Sequence, residues 1–328
     1  MRSRIVLLMS LSVFVVLAAP MIGLHTLPWA AVFEPFSREP AAVILWHIRI
    51  PRVLVAFVGG AGLALGGAAF QAMFRNPLAT PYTLGVASGA ALGVAFVTRI
   101  GLLMVTGGTW IVPAAAFVGS LLAVGVVWGV ARLRPDFSTT VLLLAGVAMT
   151  FFFSSLILFL QYTANLGDSF RIVRWLMGGL GEARWEALVI MVPAVAVGAL
   201  VVGWRARDLD LLMVDEEIAA GRGVDVVRTR AAIFLGTSLV VAAVVSVCGP
   251  IGFVGMMAPH ICRLLVGGHH RVLLPLSMVF GGTFLVACDT VARTILAPVE
   301  IPVGVITAFL GGPFFLWLLI RHKAVFRH

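Results

Sequence analysis

Long stretches without Asp, Glu, Lys or Arg dominate this sequence and restrict what it can fold into. The charge-free runs cover residues 5–33, 53–74, 76–98, 100–131, 137–167, 187–204, 231–262, 272–288 and 301–320. A helix needs roughly 20 apolar residues to cross a bilayer core of about 30 Å, and most of these runs reach that length. Charged residues make up 11% of the chain, against about 25% in a soluble domain. This composition excludes a soluble enzyme, a disordered tail and a nucleic-acid binder, although the net charge is +9.

Glycine and proline interrupt two of the runs; one interruption raises the number of predicted helices from nine to ten, and the other shifts a helix start. The sequence GPIG at 249–252 divides the run 231–262, and Gly107, Gly108 and Pro113 place another helix start near residue 111. The chain is therefore predicted to be an all-α integral membrane protein with a single transmembrane domain over residues 1–328. The ten helices are predicted at 5–24, 53–74, 83–104, 112–131, 139–161, 187–204, 231–248, 255–267, 273–294 and 303–320.

The arginines predict which side of the membrane each connecting segment occupies. With the N-terminus in the cytoplasm, 15 of the 23 Lys and Arg residues fall in the internal segments 1–4, 75–80, 132–138, 205–230, 263–271 and 321–328. An excess of positive charge on internal loops is the usual arrangement in membrane proteins. We therefore predict cytoplasmic N and C termini and a multi-pass protein of the cytoplasmic (inner) membrane. A cleavable signal peptide also fits the start of the chain, but an uncleaved first span is favoured because the apolar run continues past Pro20.

Ionisable residues inside the predicted spans are few, and this limits the chemistry that the chain can perform. Asp289 and Arg293 are the clearest pair, and an ion pair between residues four apart near a helix end explains them without a special function. We find no metal-ligand motif and no catalytic motif, so neither a metal, a cofactor nor a catalytic residue is predicted. Lys323 is the only lysine, so no nucleotide-binding G-x-x-x-x-G-K-[ST] loop can be present. If ATP drives this protein, another polypeptide must hydrolyse it.

Eight short motifs, in the same order and spacing, resemble the FecCD-type permeases, which are the membrane subunits of ABC importers for iron complexes, haem and vitamin B12. They are RIPRVL at 49–54, QAMFRNPLA at 71–79, GVASGA at 85–90, WLMGG at 175–179, GPIGFVG at 249–255, PH at 259–260, HRVLLP at 270–275 and APVEIPVG at 297–304. The resemblance extends over about residues 45–320. It implies a type II ABC importer permease bundle of ten transmembrane helices. It also implies a homodimer, or a dimer with a close paralogue, that works with two ABC ATPase subunits and a periplasmic or extracellular substrate-binding protein.

Arg49 and Arg52 end the first predicted external loop, and Arg293 lies near the external end of the ninth predicted helix. From composition alone, these arginines would be read as anchors for lipid headgroups. The resemblance instead implies that Arg49, Arg52 and Arg293 receive acidic residues of the binding protein. Guanidinium–carboxylate pairs suit such docking because they fix orientation as well as attract.

The internal loop 205–230 is the most polar part of the chain and is predicted to hold two short amphipathic helices with a glycine turn. A plain solvated linker is the alternative, although it would need fewer apolar residues. The resemblance implies that this loop is the coupling element that sits in a cleft of the ATPase subunit. The residues it assigns to that contact are Glu216, Glu217, Ala219, Ala220, Gly221, Arg222 and Gly223.

Two further segments are candidates for a cytoplasmic gate. Asn76 and Leu78 follow the second predicted helix, and Ser138 and Thr139 open the fifth. The resemblance implies that these positions face one another across the dimer and form the gate. Helix capping by Asn76 and Ser138 explains the polar residues equally well, and both roles could apply.

The predicted function is therefore the permease half of an ATP-driven importer for an iron–siderophore complex. Vitamin B12 and haem are the alternative cargoes within the same family. An ion-coupled secondary carrier is the rival of another class, and it would need titrating residues at mid-membrane, of which this sequence has few. A membrane anchor or receptor is a third reading, but ten spans far exceed what anchoring requires.

Overall fold

The structure, a computed structural model, describes residues 2–102, 110–133 and 138–321, and within these ranges every regular element is helical. The principal helices are α1 (Arg2–Ala18), α2 (Ile50–Met73), α3 (Val86–Arg99), α4 (Ile111–Arg132), α5 (Thr139–Thr163), α6 (Leu166–Leu176), α7 (Trp185–Trp204), α8 (Ala206–Val214), α9 (Glu216–Gly221), α10 (Val226–Cys248), α11 (Val254–Val266), α12 (His270–Ala292) and α13 (Val303–Arg321). Shorter helical pieces lie at Ala19–Met21, Ala30–Phe33, Pro40–Val43, Ile44–Arg49 and Pro81–Leu84.

Within the described ranges, seven helical segments are long and apolar enough to cross a membrane. They are Ser3–Met21, Pro40–Met73, Ile111–Arg132, Thr139–Thr163, Trp185–Trp204, Val226–Cys248 and His270–Ala292. Three shorter apolar helices accompany them, at Val86–Arg99, Val254–Val266 and Val303–Leu318. Each of the ten predicted ranges overlaps one of these segments, and the all-helical fold is confirmed. That all ten cross the membrane, with both termini in the cytoplasm, stays a prediction. Lys323 and Arg327, on which the sidedness argument partly depends, lie outside the described residues.

The start of the second predicted helix, at residue 53, is wrong. Helical structure begins already at Pro40 and passes through a π-helical turn, Ile44–Arg49, into α2. In that turn the Ile50 N–H donates to the Leu45 carbonyl, so the hydrogen bonds change register just before Pro51, which has no N–H to donate. Arg49 and Arg52 therefore lie within a continuous helix and not at the end of a loop.

Boundaries of several other helices also differ from the prediction, most clearly in the third helix and in α10. The third helix begins only at Val86, because Gly85 adopts a left-handed conformation (φ +78°) after the Pro81–Leu84 turn, and it ends at Arg99. The last residue of the predicted range, 104, is outside the described residues. Helix α10 begins at Val226, five residues before the predicted start at 231, because Asp225 caps its first turn by accepting from the Arg228 N–H. Helix α6 was not predicted, since its polar residues interrupt the apolar pattern.

Helix α2 lies at the centre of the bundle and packs against α10, α11 and α12 through its glycines. A Cβ on Gly67 would collide with the backbone carbonyl of Gly255 in α11, and a Cβ on Gly60 would collide with that of Gly281 in α12. Small residues of this kind allow backbones in lipid to approach closely enough for van der Waals attraction to hold them together. Because only glycine fits at these contacts, the backbone of α2 packs directly against those of α11 and α12.

The two ends of the bundle carry different residues and elements. The arginine end carries Arg49, Arg52 and Arg293, and the loop end carries helices α8 and α9. Helix α12 runs from one end to the other, because His270 at its start contacts Asp210 of α8 while Asp289 near its finish contacts Arg52. A rigid-body movement of α12 would therefore displace residues at both ends of the bundle.

Candidate functional site

At the arginine end, Arg52 links two other parts of the chain. Its Nη2 donates to Asp289 Oδ1 at 2.9 Å, and its Nε lies 3.1 Å from both carboxylate oxygens of Asp289. Its Nη1 donates to Glu300, at 2.9 and 3.1 Å from the two oxygens. The exposed fraction is 11% for the Arg52 side chain and 2% for that of Asp289, but 49% for that of Glu300. Paired charge-assisted bonds of this geometry are among the stronger contacts in proteins.

Arg49 and Arg293 complete the cluster from either side. Arg49 donates to the backbone carbonyls of Pro20 and His25, at 3.1 and 2.7 Å, and so holds the connection after α1 against α2. Arg293 donates to the Ala19 carbonyl, and its Nε lies 3.8 Å from Asp289. If all five groups are ionised, three arginines face two carboxylates, which leaves one positive charge in excess.

These three arginines are buried and do not form an exposed rim. As whole residues, Arg49, Arg52 and Arg293 are 7%, 9% and 8% exposed, because each guanidinium contacts groups of the same chain. The predicted ion pair between Asp289 and Arg293 is present, but the closer partner of Asp289 is Arg52. Whether a binding protein docks here stays a prediction.

At the loop end, two short helices are found where the sequence predicted them. Helix α8 buries Leu209 and Leu212 against the bundle, and α9 follows immediately after Asp215. Asp215 caps α9 by accepting from the N–H groups of Glu217 and Ile218, at 2.7 and 3.3 Å. The predicted glycine turn follows α9 and leads into α10.

Two contacts that involve carboxylates fasten this pair of helices to the bundle. Arg230 of α10, which is 4% exposed, donates through both Nη atoms to the two carboxylate oxygens of Glu216. Asp210 of α8 accepts from the backbone N–H of His270 at 2.9 Å, and its Oδ1 lies 2.6 Å from His270 Nδ1. Because bidentate and multiple contacts fix orientation, these bonds set the positions of α8 and α9 relative to α10 and α12.

The residues predicted for the ATPase contact divide into two groups. Glu216 and Ala219 face the bundle, since Glu216 pairs with Arg230 and Ala219 is fully buried. The others are exposed, and these are Glu217, Ala220, Gly221, Arg222 and Gly223. The exposed group forms a continuous surface at the tip of α9 that is available to a partner protein.

The residues predicted for the gate also lie at the loop end. Asn76 and Leu78 are exposed in the turn after α2, where Asn76 Oδ1 accepts from the Leu78 N–H at 2.9 Å. Ser138 and Thr139, which begin α5, are half-buried. Ser138 makes no side-chain capping bond among the described residues, so the capping alternative is wrong for Ser138, whereas Asn76 stabilises its own turn. The predicted gate requires two chains, because these residues are expected to face one another across a dimer.

An ion pair connects the turn that carries Asn76 and Leu78 to helix α9. Arg75 adopts a left-handed conformation (φ +48°), and its Nη1 lies 3.8 Å from Asp215 Oδ2, with both side chains half-exposed. Such an exposed pair contributes at most about 1 kcal/mol to stability. It nevertheless places the predicted gate turn directly beside the predicted coupling helix.

Sequence reasoning missed Asp210, His270, Arg230 and Glu300 as contact-forming residues. Glu300 and His270 lie inside the motifs APVEIPVG and HRVLLP, so their positions were noted without a role. The contacts Arg230–Glu216 and His270–Asp210 join residues 14 and 60 positions apart, which no local pattern reveals. Within residues 2–102, 110–133 and 138–321, no group of three or more His, Cys, Asp or Glu side chains could hold a metal ion.

The sequence was compared with known protein families and proteins. Residues 10–321 match the profile of the FecCD transport family. The cobalamin import system permease protein BtuC of Halobacterium salinarum is 43% identical over 301 residues, covering 89% of this chain and 79% of that protein. The hemin transport system permease protein HmuU of Yersinia pestis is 35% identical over 329 residues, covering 96% of this chain and 95% of that protein.

A solved structure agrees with these similarities. It is described as a metal-chelate type ABC transporter in an inward-facing conformation. It superimposes with a TM-score of 0.87 and 30% sequence identity, covering 98% of this chain and 100% of that one. The described helices therefore have the arrangement found in an ABC transporter.

Proposed function

The chain belongs to the FecCD transport family and is the membrane-spanning permease of an ABC importer, and we propose that it acts as a gated conduit moved by separate ATPase subunits. The observation that carries this proposal is the attachment of α8 and α9. The outer surface of α8 and α9 is exposed and available to a partner. On the inner side, contacts of Arg230 and Asp210 connect these two helices to α10 and α12. A force applied at α9 would thus reach α10 and α12 directly.

We place the loop end in the cytoplasm, where ATP is hydrolysed, and the arginine end outside. The arginine count of the sequence supports this assignment, since 15 of 23 Lys and Arg fall in segments that it makes internal. The tip of α9, with Glu217, Ala220 and Gly221, would then enter a cleft of the ATPase subunit. Closure of two ATPases on nucleotide would displace α9, and the displaced helices would favour one of two conformations of the permease.

The external binding protein would dock at the arginine end. Because the three arginines are buried, its acidic residues would approach the outer edge of the cluster and compete with Glu300, whose side chain is half-exposed. The excess of one positive charge in the cluster favours such an approach. In this proposal Arg52 releases the carboxylate of Glu300 and pairs with a carboxylate of the binding protein.

A dimer of two such chains would complete the conduit. Helices α5 and α13 expose many large apolar side chains, among them Phe151 and Leu158 of α5 and Phe309 and Leu316 of α13. Either lipid or a second copy can cover such surfaces. We propose that a second copy, or a close paralogue, covers part of them and brings Asn76, Leu78, Ser138 and Thr139 of both chains together as the cytoplasmic gate.

The cargo is proposed to be a bulky metal chelate. The sequence predicted an iron–siderophore, whereas the similar permeases named above carry cobalamin and hemin in their names. The solved transporter is described only as of metal-chelate type. An iron–siderophore, cobalamin and haem are therefore equal candidates. The external binding protein, which delivers the cargo to the permease, is expected to determine which of them is transported.

Transport assays with the complete importer test this proposal. Proteoliposomes containing the permease and its ATPase are supplied with the cognate binding protein, ATP and, separately, radiolabelled cobalamin, haem or a ferric siderophore. We expect vanadate-sensitive accumulation of one of the three. Uptake that is insensitive to vanadate, or a permease that never co-purifies with an ATPase, would contradict the importer mechanism. Uptake of only an unchelated ion would contradict the proposal that the cargo is a metal chelate.

A further inference from the structure

A groove at the arginine end lies outside the sites described above. It is a cavity of about 550 Å³ between the segment before Pro40, the turn that leads into α2 and the start of α7. Its walls include Phe36, Arg38, Trp46, His47 and Trp185. No part of the proposed docking, coupling or gating mechanism uses these residues.

Two indole hydrogen bonds fix the aromatic walls of the groove. Trp185 Nε1 donates to the Trp46 carbonyl at 3.0 Å, and Trp46 Nε1 donates to the Ala31 carbonyl at 3.0 Å. With their N–H groups already satisfied, both rings offer apolar surface to whatever enters. The groove is thus formed before a ligand arrives, which lowers the entropic cost of binding.

Helix α7 gives the depth of the groove in the membrane. Trp185, Val189, Leu200 and Trp204 are exposed and lie along one stripe of α7, while Met191 on the other side is buried. At 1.5 Å per residue, the two tryptophans at the ends of this stripe are about 28 Å apart. That matches a bilayer core of about 30 Å, and tryptophans concentrate at both of its surfaces. Trp185 and the groove beside it therefore lie at the level of the lipid headgroups.

The polar side of the groove suits a phosphate. Arg38 and His47 are both exposed, and within the described part of the chain neither side chain forms an ion pair or a hydrogen bond. An arginine beside tryptophans at the membrane surface can bind a phosphodiester while the rings contact an acyl chain. Glu34 and Glu39, also exposed in this segment, outnumber Arg38, so with His47 neutral the segment 34–47 carries a net charge of −1, which disfavours an extended polyanion as the occupant.

We propose that this groove binds one phospholipid of the leaflet at the arginine end. The phosphate lies against Arg38 and His47, and an acyl chain follows Trp46 and Trp185 towards the apolar stripe of α7. The lipid would thereby fasten the segment before α2, which adjoins the turn carrying Arg49, to the membrane surface. This site concerns membrane attachment and does not depend on which cargo is transported.

Native mass spectrometry of the intact, detergent-solubilised importer, titrated with dioleoyl phosphatidylglycerol, tests the proposal. The double variant Arg38→Ala, His47→Ala is expected to bind the first lipid about tenfold more weakly, since a charge-assisted contact contributes about 1.5 kcal/mol or more. Arg99→Ala, an exposed arginine at the end of α3, is the matched control and should bind like the parent. Dioleoylglycerol, which lacks the phosphate, should bind equally weakly to all three proteins.

Equal phosphatidylglycerol affinity in the parent and the double variant would overturn the proposal. So would unchanged lipid binding with weaker binding of the external binding protein, because the groove would then be a protein-docking surface. Both substituted side chains are exposed, so the variant should fold, and an unchanged thermal midpoint checks that it does.

Discussion

Replacing Arg52 by alanine is expected to destabilise the folded chain by about 3–5 kcal/mol, because it leaves the buried carboxylate of Asp289 without its closest partner. Asp289 is 2% exposed, and its remaining ionic contact, Arg293 Nε, is 3.8 Å away. Asparagine at position 289 removes the charge and should recover most of the loss in the double variant Arg52→Ala, Asp289→Asn. Thermal midpoints of the purified variants, measured by size-exclusion chromatography after heating, provide the comparison.

The control is Arg171→Ala, whose ion pair with Asp168 at 3.2 Å involves an arginine side chain that is 52% exposed. Exposed pairs contribute about 1 kcal/mol or less, so this variant should stay close to the parent. Similar losses for Arg52→Ala and Arg171→Ala would contradict the buried arrangement. So would a double variant that is no more stable than Arg52→Ala.

The same double variant also separates the structural role of Arg52 from its proposed docking role. If Arg52 receives an acidic residue of the binding protein, the recovered double variant should still bind that protein about tenfold more weakly than the parent does. If Arg52 only holds Asp289 and Glu300, affinity should recover together with stability, and the docking proposal would be wrong. The charge reversal Arg52→Glu is less informative, because it would bury a second carboxylate beside Asp289.

Replacing Gly221 by tryptophan is expected to reduce ATP-driven uptake about tenfold or more while leaving the permease folded. Gly221 is exposed at the end of α9, and nothing in the described structure lies within 4 Å of the position that a Cβ would occupy. In a packed contact with the ATPase, however, an added indole would overpack the interface at a cost of about 1–3 kcal/mol. Uptake and permease-stimulated ATP hydrolysis, measured in proteoliposomes, should fall together.

Gly203→Trp is the matched control, because Gly203 is also exposed near the loop end with nothing within 4 Å of its Cβ position, but lies in α7 away from α9. This variant should retain uptake and ATP hydrolysis. Normal coupling in Gly221→Trp would show that α9 does not contact the ATPase. A comparable loss in both variants would point to a general effect of bulk near the loop end.

Sequence reasoning located the helices because lipid imposes length and apolarity on any segment that crosses it. Helix α4 begins one residue before its predicted start and ends one residue after its predicted end, and α7 ends at Trp204 as predicted. The start of α2 was misplaced because the charge-free run begins only after Arg52, whereas the hydrogen bonds of the π turn show that the helix already passes through Arg49 and Pro51.

The burial of the arginines could not be read from the sequence. Arg52 and Asp289 are 237 residues apart, and their pairing depends on α2 and α12 lying side by side. The same holds for Arg75 and Asp215, which bring the predicted gate turn next to the coupling helix. The two-helix form of the segment 205–230 was predicted correctly, because its short apolar patches and its glycine turn are local features.

Reconstitution of the purified permease alone tests the central claim most directly. Vesicles containing only this polypeptide, with the binding protein and a labelled chelate outside, are given a proton or sodium gradient and no nucleotide. We predict no accumulation of the chelate, and we predict accumulation once the partner ATPase and ATP are supplied on the side of helices α8 and α9. Accumulation driven by either gradient without ATPase or nucleotide would show that the chain is an ion-coupled carrier and would contradict the account.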